Sequence, residues 1–202
     1  MYAYKKTMKK KVYMIAGLSL ALVLTSAVAL FLKVNEKEAT PVIKEEDTPV
    51  IALPDKEKSF INPFEVDALI VKEFFDGNTH EVSDYTNLEG VYRPNQGIDY
   101  AYKDESFDVL CMMDGKVSEV KEDALFGKSV TIVSDFISIT YQSLDAFTCK
   151  EGDTIKQKDV LGKASKNAYN PELGNHVHIV VEKNNEIIDP KIILGKTLSE
   201  LK

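Results

Sequence analysis

Cysteine is almost missing from this chain. The two present, Cys111 and Cys149, are too few for a disulfide framework and stand in no CxxC-like metal spacing. Both read as small core residues, although each falls in a strand-like run, which leaves a bridge between them open outside the cytoplasm. Histidine is equally sparse, with only His80, His176 and His178. Low complexity and a solenoid period are absent from the main body, which excludes repeat architectures. With 44% hydrophobic and 28% charged residues, 202 residues suffice for one core plus an accessory segment. Positive charge is scarce beyond the first residues. Lys5, Lys6, Lys9, Lys10 and Lys11 stand together without an acid; setting these five aside leaves 20 basic against 32 acidic side chains, so the net charge of -7 becomes -12 for the rest. Such a surface repels polyanions, which disfavours nucleic acid and favours cationic or neutral protein partners.

Residues 12–32 form an uncharged apolar run of 21 residues. As a helix it would span a hydrocarbon layer of roughly 30 Å, and the flanking lysines would hold the N-terminus in the cytoplasm. Ala27-Val28-Ala29 offers a signal-peptidase-type site, but the apolar run continues through Leu30, Phe31 and Leu32, as a stop-transfer helix does. No lipobox cysteine accompanies it. Residues 33–60 are charged and punctuated by proline, and Thr40-Pro41-Val42-Ile43 recurs as Thr48-Pro49-Val50-Ile51. That composition reads as an extended stalk, although the repeat could also serve as a docking strand. The expected organisation is a basic cytoplasmic tail at 1–11, a transmembrane helix at 12–32, a stalk at 33–60, a folded domain at 61–193 and a C-terminal tail at 194–202.

Past Pro63 the texture becomes short β-rich runs separated by turn residues, the pattern of an all-β sandwich or barrel. Strands are expected at 68–75, 97–102, 109–113, 116–120, 129–133, 137–142 and 176–182. Asp114-Gly115 reads as a hairpin turn between two of them, and Gly127, Gly152 and Gly162 mark further turns. Leu194, Leu198 and Leu201, spaced i, i+4, i+7, predict a short amphipathic helical face in the tail.

Within Gly174-Asn175-His176-Val177-His178 the two histidines stand at i and i+2 of a strand, so both imidazoles project from one face. Alone, the pair fits two hydrogen-bonded structural histidines as well as it fits a metal site. Read in order with Asn95-Gln96-Gly97-Ile98-Asp99, Met113-Asp114-Gly115-Lys116-Val117 and Thr140-Tyr141-Gln142-Ser143-Leu144, it resembles the lysostaphin/LytM-type zinc endopeptidases of bacterial cell walls, over roughly residues 90–190. The resemblance implies a LytM-like antiparallel β-sandwich or open barrel, with a metal held by a His-x-x-x-Asp pair and the second histidine of His-x-His. Asp99 and His178 then match two ligands, while Asn95 stands where the first histidine belongs. An amide oxygen is a far poorer zinc donor than an imidazole nitrogen. His176 matches one of the two histidines that handle the attacking water, and Gln142 replaces the other; glutamine can donate a hydrogen bond but cannot exchange a proton near neutral pH. The expectation is therefore a domain that is not an enzyme, with no metal cofactor and only vestigial Asn95, Asp99, His178, His176 and Gln142.

A narrower likeness rests on Val91-Tyr92-Arg93-Pro94, Asn95 to Asp99, Tyr141 to Leu144 and Gly174 to His178. These resemble the membrane-anchored, degenerate members of the family that serve sporulation in endospore-forming bacteria. That likeness implies a domain projecting from the forespore into the intermembrane space. There it would bind the ectodomain of a mother-cell membrane protein like stage III sporulation protein AH, in a ring-forming channel complex that supports engulfment, with peptidoglycan as a further candidate contact. Two other functions stay open: a divergent zinc endopeptidase in which Asp99, His178 and Asn95 or His80 hold the metal and His176 acts as base, and a regulator docked on a cell-wall amidase. His80, in the loop-like 76–80 stretch, is expected to be a solvated side chain without a role. The partner-binding residues belong to no short motif; an exposed strand edge is the expected element.

Overall fold

The structure, a computed structural model, describes residues 57–78 and 85–202, which belong to one compact unit spanning Ile51–Lys202. The expected basic tail, the transmembrane helix at 12–32, nearly all of the stalk and His80 lie outside the described residues. Among those described, no helix is long and apolar enough to cross a membrane.

Twelve strands are described: β1 (Leu69–Lys72), β2 (Tyr85–Leu88), β3 (Val91–Pro94), β4 (Ile98–Ala101), β5 (Asp108–Leu110), β6 (Gly115–Asp123), β7 (Gly127–Ser134), β8 (Ile137–Leu144), β9 (Thr154–Ile155), β10 (Val160–Lys163), β11 (His176–Lys183) and β12 (Glu186–Ile188). Helical structure among the described residues is limited to 3-10 turns at Pro171–Leu173 and Pro190–Ile192, so the domain is all-β as its sequence texture implies. Eight strands make one sheet in the order β1-β4-β11-β8-β7-β6-β9, with β12 pairing the second half of β11; β10-β5 and β2-β3 form two small ladders.

The long strands form where β-branched residues alternate with polar ones. In β8, Ile137, Ile139 and Tyr141 are fully buried while Ser138, Thr140 and Gln142 take the other face. In β11, Val177, Ile179 and Val181 join that same core, and each large aliphatic buried there contributes roughly 1.5–3 kcal/mol. His176 and His178 occupy the opposite face of β11 and are buried as well, because loops cover that side. The buried Tyr141 hydroxyl accepts from the Met112 amide at 2.8 Å, fixing the 111–114 segment against the sheet.

Three local expectations are corrected. Asp114-Gly115 is not a hairpin turn, since β5 pairs with β10 while β6 pairs with β7 and β9; the chain changes sheet there. Asp114 is buried and accepts from Lys58, Lys156 and the Gln157 amide, and Gly115 is needed for close approach, because a Cβ would stand 2.6 Å from Ile132 Cγ2 and 2.8 Å from the Val133 carbonyl. Gly162 lies inside β10 at a register shift rather than in a turn. The tail leucines do not form an α-helix: Asp189 caps a short 3-10 turn by accepting from Lys191 N, and Gly195 follows at φ +76°. Leu198 and Leu201 nonetheless enter the core beside Phe60, whose amide donates to the Lys196 carbonyl at 2.9 Å. The β2-β3 hairpin was unanticipated; its turn is Glu89-Gly90, both at positive φ, closed by Gly90 N donating to Asn87 Oδ1 at 2.9 Å. Cys111 and Cys149 are free thiols, the first buried and the second half-buried.

Candidate functional site

Sheet register brings the sequence-separated motifs together. Asp99 on β4 lies opposite His178 on β11, His178 lies opposite Gln142 on β8, and Lys72 on β1 lies opposite Asp99. Directly opposed residues share a face, so Lys72, Asp99, His178 and Gln142 form one row across four strands. Asn95 reaches Asp99 from the turn that precedes β4, because four residues of chain separate them.

Asp99 is fully buried, and both of its oxygens are engaged. His178 Nδ1 lies 3.0 Å from Oδ1, and Asn95 Nδ2 donates to Oδ2 at 3.0 Å. The same Asn95 nitrogen lies 3.0 Å from the Glu73 carbonyl and 2.9 Å from the Gly97 carbonyl. Three acceptors around one amide group leave a single consistent orientation, with nitrogen rather than oxygen turned toward the carboxylate. Burial by itself would raise the Asp99 pKa, but the charge and hydrogen bond of His178, helped by His176 and by Asn95, outweigh it and hold the carboxyl below the usual range. Gly97 completes this corner by its lack of a side chain: a Cβ would stand 2.3 Å from the Ile179 carbonyl and 2.8 Å from the His178 ring.

His176 is fully buried, with Nε2 3.7 Å from Asp99 Oδ1. Its Nδ1 lies 3.0 Å from the Gly174 carbonyl, which can only accept, so Nδ1 carries the proton. Nε2 then accepts from Ser143 Oγ and Asn167 Nδ2, both at 3.2 Å. Burial pushes the His176 pKa down, against the raising pull of the Gly174 carbonyl and Asp99. Ser143 was not singled out from sequence. It reaches His176 because β8 and β7 lose register between Lys128 and Val130, and at this bulge Ser143 adopts φ +67°; such a bulge re-aims a side chain. The side chain beside His176 is thus Ser143, while Gln142 stands in the row opposite His178.

Lys72, Asn167 and Asn170 were also missed. Lys72 is 6% exposed, and its ammonium donates to Asn170 Oδ1 at 3.1 Å and Thr86 Oγ1 at 3.2 Å, with Glu172 Oε1 at 3.5 Å. Asn170 N in turn donates to Asn167 Oδ1 at 2.8 Å, and Asn167 Nδ2 donates to Ser143 Oγ at 2.6 Å. One polar network therefore runs from β1 through the 167–172 loop to His176. No sequence motif announces it, because its members are common polar residues joined only by the fold.

The donor set does not fit a catalytic zinc ion. Such a site needs three lone-pair donors converging on an open position, whereas Asn95 presents N–H groups and Asp99 and His178 are bonded to each other. Among the described residues, no group of three His, Cys, Asp or Glu side chains is placed to hold a metal.

The signature of peptidase family M23 matches residues 93–190. The chain is 32% identical over 137 residues to stage II sporulation protein Q of Bacillus subtilis (strain 168), an alignment covering 65% of this chain and 48% of that protein. It is 31% identical over 99 residues to an uncharacterized metalloprotease of Buchnera aphidicola subsp. Baizongia pistaciae (strain Bp), covering 48% of this chain and 26% of that one. The chain thus spans about half or less of the length of these curated relatives. Among solved structures, a chain of the SpoIIQ–SpoIIIAH pore-forming complex matches with a TM-score of 0.68 at 30% identity, covering 72% of this chain and 96% of that chain. A zinc-containing peptidase from Vibrio cholerae shares the fold, with a TM-score of 0.53 at 24% identity over 65% of this chain and 39% of that chain.

Proposed function

Because this chain belongs to peptidase family M23 yet ties its central side chains to one another, we propose that it is a non-enzymatic, membrane-anchored sporulation protein whose LytM-like domain binds a partner. The observation that carries this reading is the Asn95 amide donating into Asp99: the carboxylate that should share a cation accepts a hydrogen bond instead. The Ser143 hydroxyl and the Asn167 amide at His176 Nε2 strengthen it. Serine and asparagine at Nε2 can orient the ring but cannot exchange a proton near neutral pH, and losing one group of that kind typically costs about 10²–10³-fold in rate.

The partner we propose is the ectodomain of a mother-cell membrane protein like stage III sporulation protein AH. Similarity to stage II sporulation protein Q supports this, as does similarity to a chain of a solved complex between that protein and SpoIIIAH. The apolar 12–32 run and its lysine flank support an anchor with the N-terminus in the forespore cytoplasm and the domain in the intermembrane space, where a channel complex would form and assist engulfment.

Affinity capture with the tagged full-length chain from cells late in engulfment tests the proposal. Recovery of a mother-cell membrane protein with a stage III sporulation protein AH-type ectodomain is expected. Recovery of an amidase would replace the scaffold reading with a regulatory one, and release of cross-link fragments from purified murein would overturn the non-enzymatic reading.

A further inference from the structure

We propose that the Asn95 amide substitutes for a cation, so that the vestigial centre persists as a structural keystone rather than as an unused remnant. This rests on the non-catalytic reading above but goes beyond it, since a dead centre need not contribute to the fold. A carboxylate at zero exposure requires something positive or hydrogen-donating close by. Here the requirement is met from both sides, by His178 Nδ1 at Oδ1 and Asn95 Nδ2 at Oδ2.

The amide is held for that task from three directions. The Glu73 carbonyl, in the segment after β1, and the Gly97 carbonyl, just before β4, both draw on the Asn95 N–H groups. Asp99 belongs to β4 and His178 to β11. One side chain therefore links the chain after β1, the turn into β4 and the β4-β11 pair, as a bound ion in that place would link its ligands. A neutral histidine at position 95 carries one N–H to offer two carbonyls and a carboxylate, whereas the asparagine nitrogen carries two, one of them shared between neighbouring acceptors, on the short side chain that this arrangement needs.

Substitution of the full-length chain in detergent tests the idea by thermal unfolding with and without zinc. Wild type is expected to unfold at the same temperature in chelator and in added zinc. Asn95→Ala, which leaves Asp99 Oδ2 without its donor, is expected to lower the unfolding midpoint by roughly 5 °C or more. Asn95→Asp is isosteric but puts a second carboxylate against Asp99; it is expected to be destabilised in chelator and to recover most of that loss in zinc, because the introduced carboxylate would complete a three-ligand set with Asp99 and His178. Should Asn95→Ala fail to fold, the zinc response of Asn95→Asp decides. An unchanged midpoint for Asn95→Ala, or no zinc rescue of Asn95→Asp, would overturn the substitution proposal while leaving the partner-binding reading intact. Stoichiometric zinc on wild type together with murein cleavage would remove both.

Discussion

A methyl group at position 97 would approach the Ile179 carbonyl to 2.3 Å and the His178 ring to 2.8 Å. Backbone cannot yield cheaply, so β4 and β11 would have to part; overpacking of this kind costs about 1–3 kcal/mol. Gly97→Ala is accordingly expected to lower the urea midpoint and to weaken amide-exchange protection at Asp99 and His178 before the rest of the sheet. Thiol chemistry gives a second measurement. Burial pushes the Cys111 thiol up to about 12 and raises Cys149 above its ordinary value. Since the thiolate is the reactive form, a disulfide reagent at pH 8 is expected to label half-buried Cys149 slowly and Cys111 only on unfolding; rapid native labelling of Cys111 would contradict its placement. His176 and His178 were legible as a pair because their i, i+2 spacing within a strand fixes a common face, whereas Asp99, on β4, joined them only through the family resemblance. Ser143, by contrast, depends on a bulge, and the order Gln142-Ser143 carries no mark of which side chain will turn toward His176.

Elements add a different lesson in the clip formed by β1, β2 and the 167–172 loop. Lys72 donates to Asn170 and Thr86, while Thr86 Oγ1 also donates to Asn170 Oδ1 at 2.7 Å. Thr86 and Asn170 thus retain each other if the lysine is removed, and the Glu172 carboxylate that it leaves is largely exposed. Lys72→Met is expected to cost about 1 kcal/mol or less, as apolar replacement of a buried charge often does. Asn170→Ala leaves both the buried ammonium and the threonine hydroxyl without that acceptor, and is expected to cost roughly 3 kcal/mol. Urea unfolding of the two variants checks the inequality; equal losses would mean that packing rather than hydrogen bonding sets the value of the clip. Strands with alternating β-branched residues, such as β8 and β11, could be read directly from sequence. The Asp114-Gly115 junction could not, because the same dipeptide that favours a hairpin here supplies a buried carboxylate to Lys58, Lys156 and Gln157 and a flat spot against Ile132.

For the molecule as a whole, acid should act in two stages. His176 is kept neutral by burial, so its folded pKa lies below the ordinary 6.5; the unfolded chain binds a proton there that the folded one refuses. The stability it contributes is complete above about pH 6.5 and declines as pH falls below that value toward the folded pKa. Asp99 and Asp114 behave as carboxylates held below 3.8. Burial opposes ionisation in both, but His178, His176 and Asn95 overcome it at the first, and the Gln157 amide, Lys156 and Lys58 at the second. Their contribution is present above about pH 3.8 and disappears as pH drops through their lower folded values. A plot of urea midpoint against pH from 8 to 3 is expected to bend downward first near 6.5 and again near 4. His176→Gln should flatten the upper limb and leave the lower one, whatever its effect on absolute stability. An upper limb unchanged in that variant would transfer the effect to another group and remove His176 from its buried, neutral role. The two stages also separate the parts of the fold: the upper one reports the network around Ser143 and Asn167, and the lower one the two buried aspartates that hold β4 to β11 and the 111–114 segment to the residues flanking it.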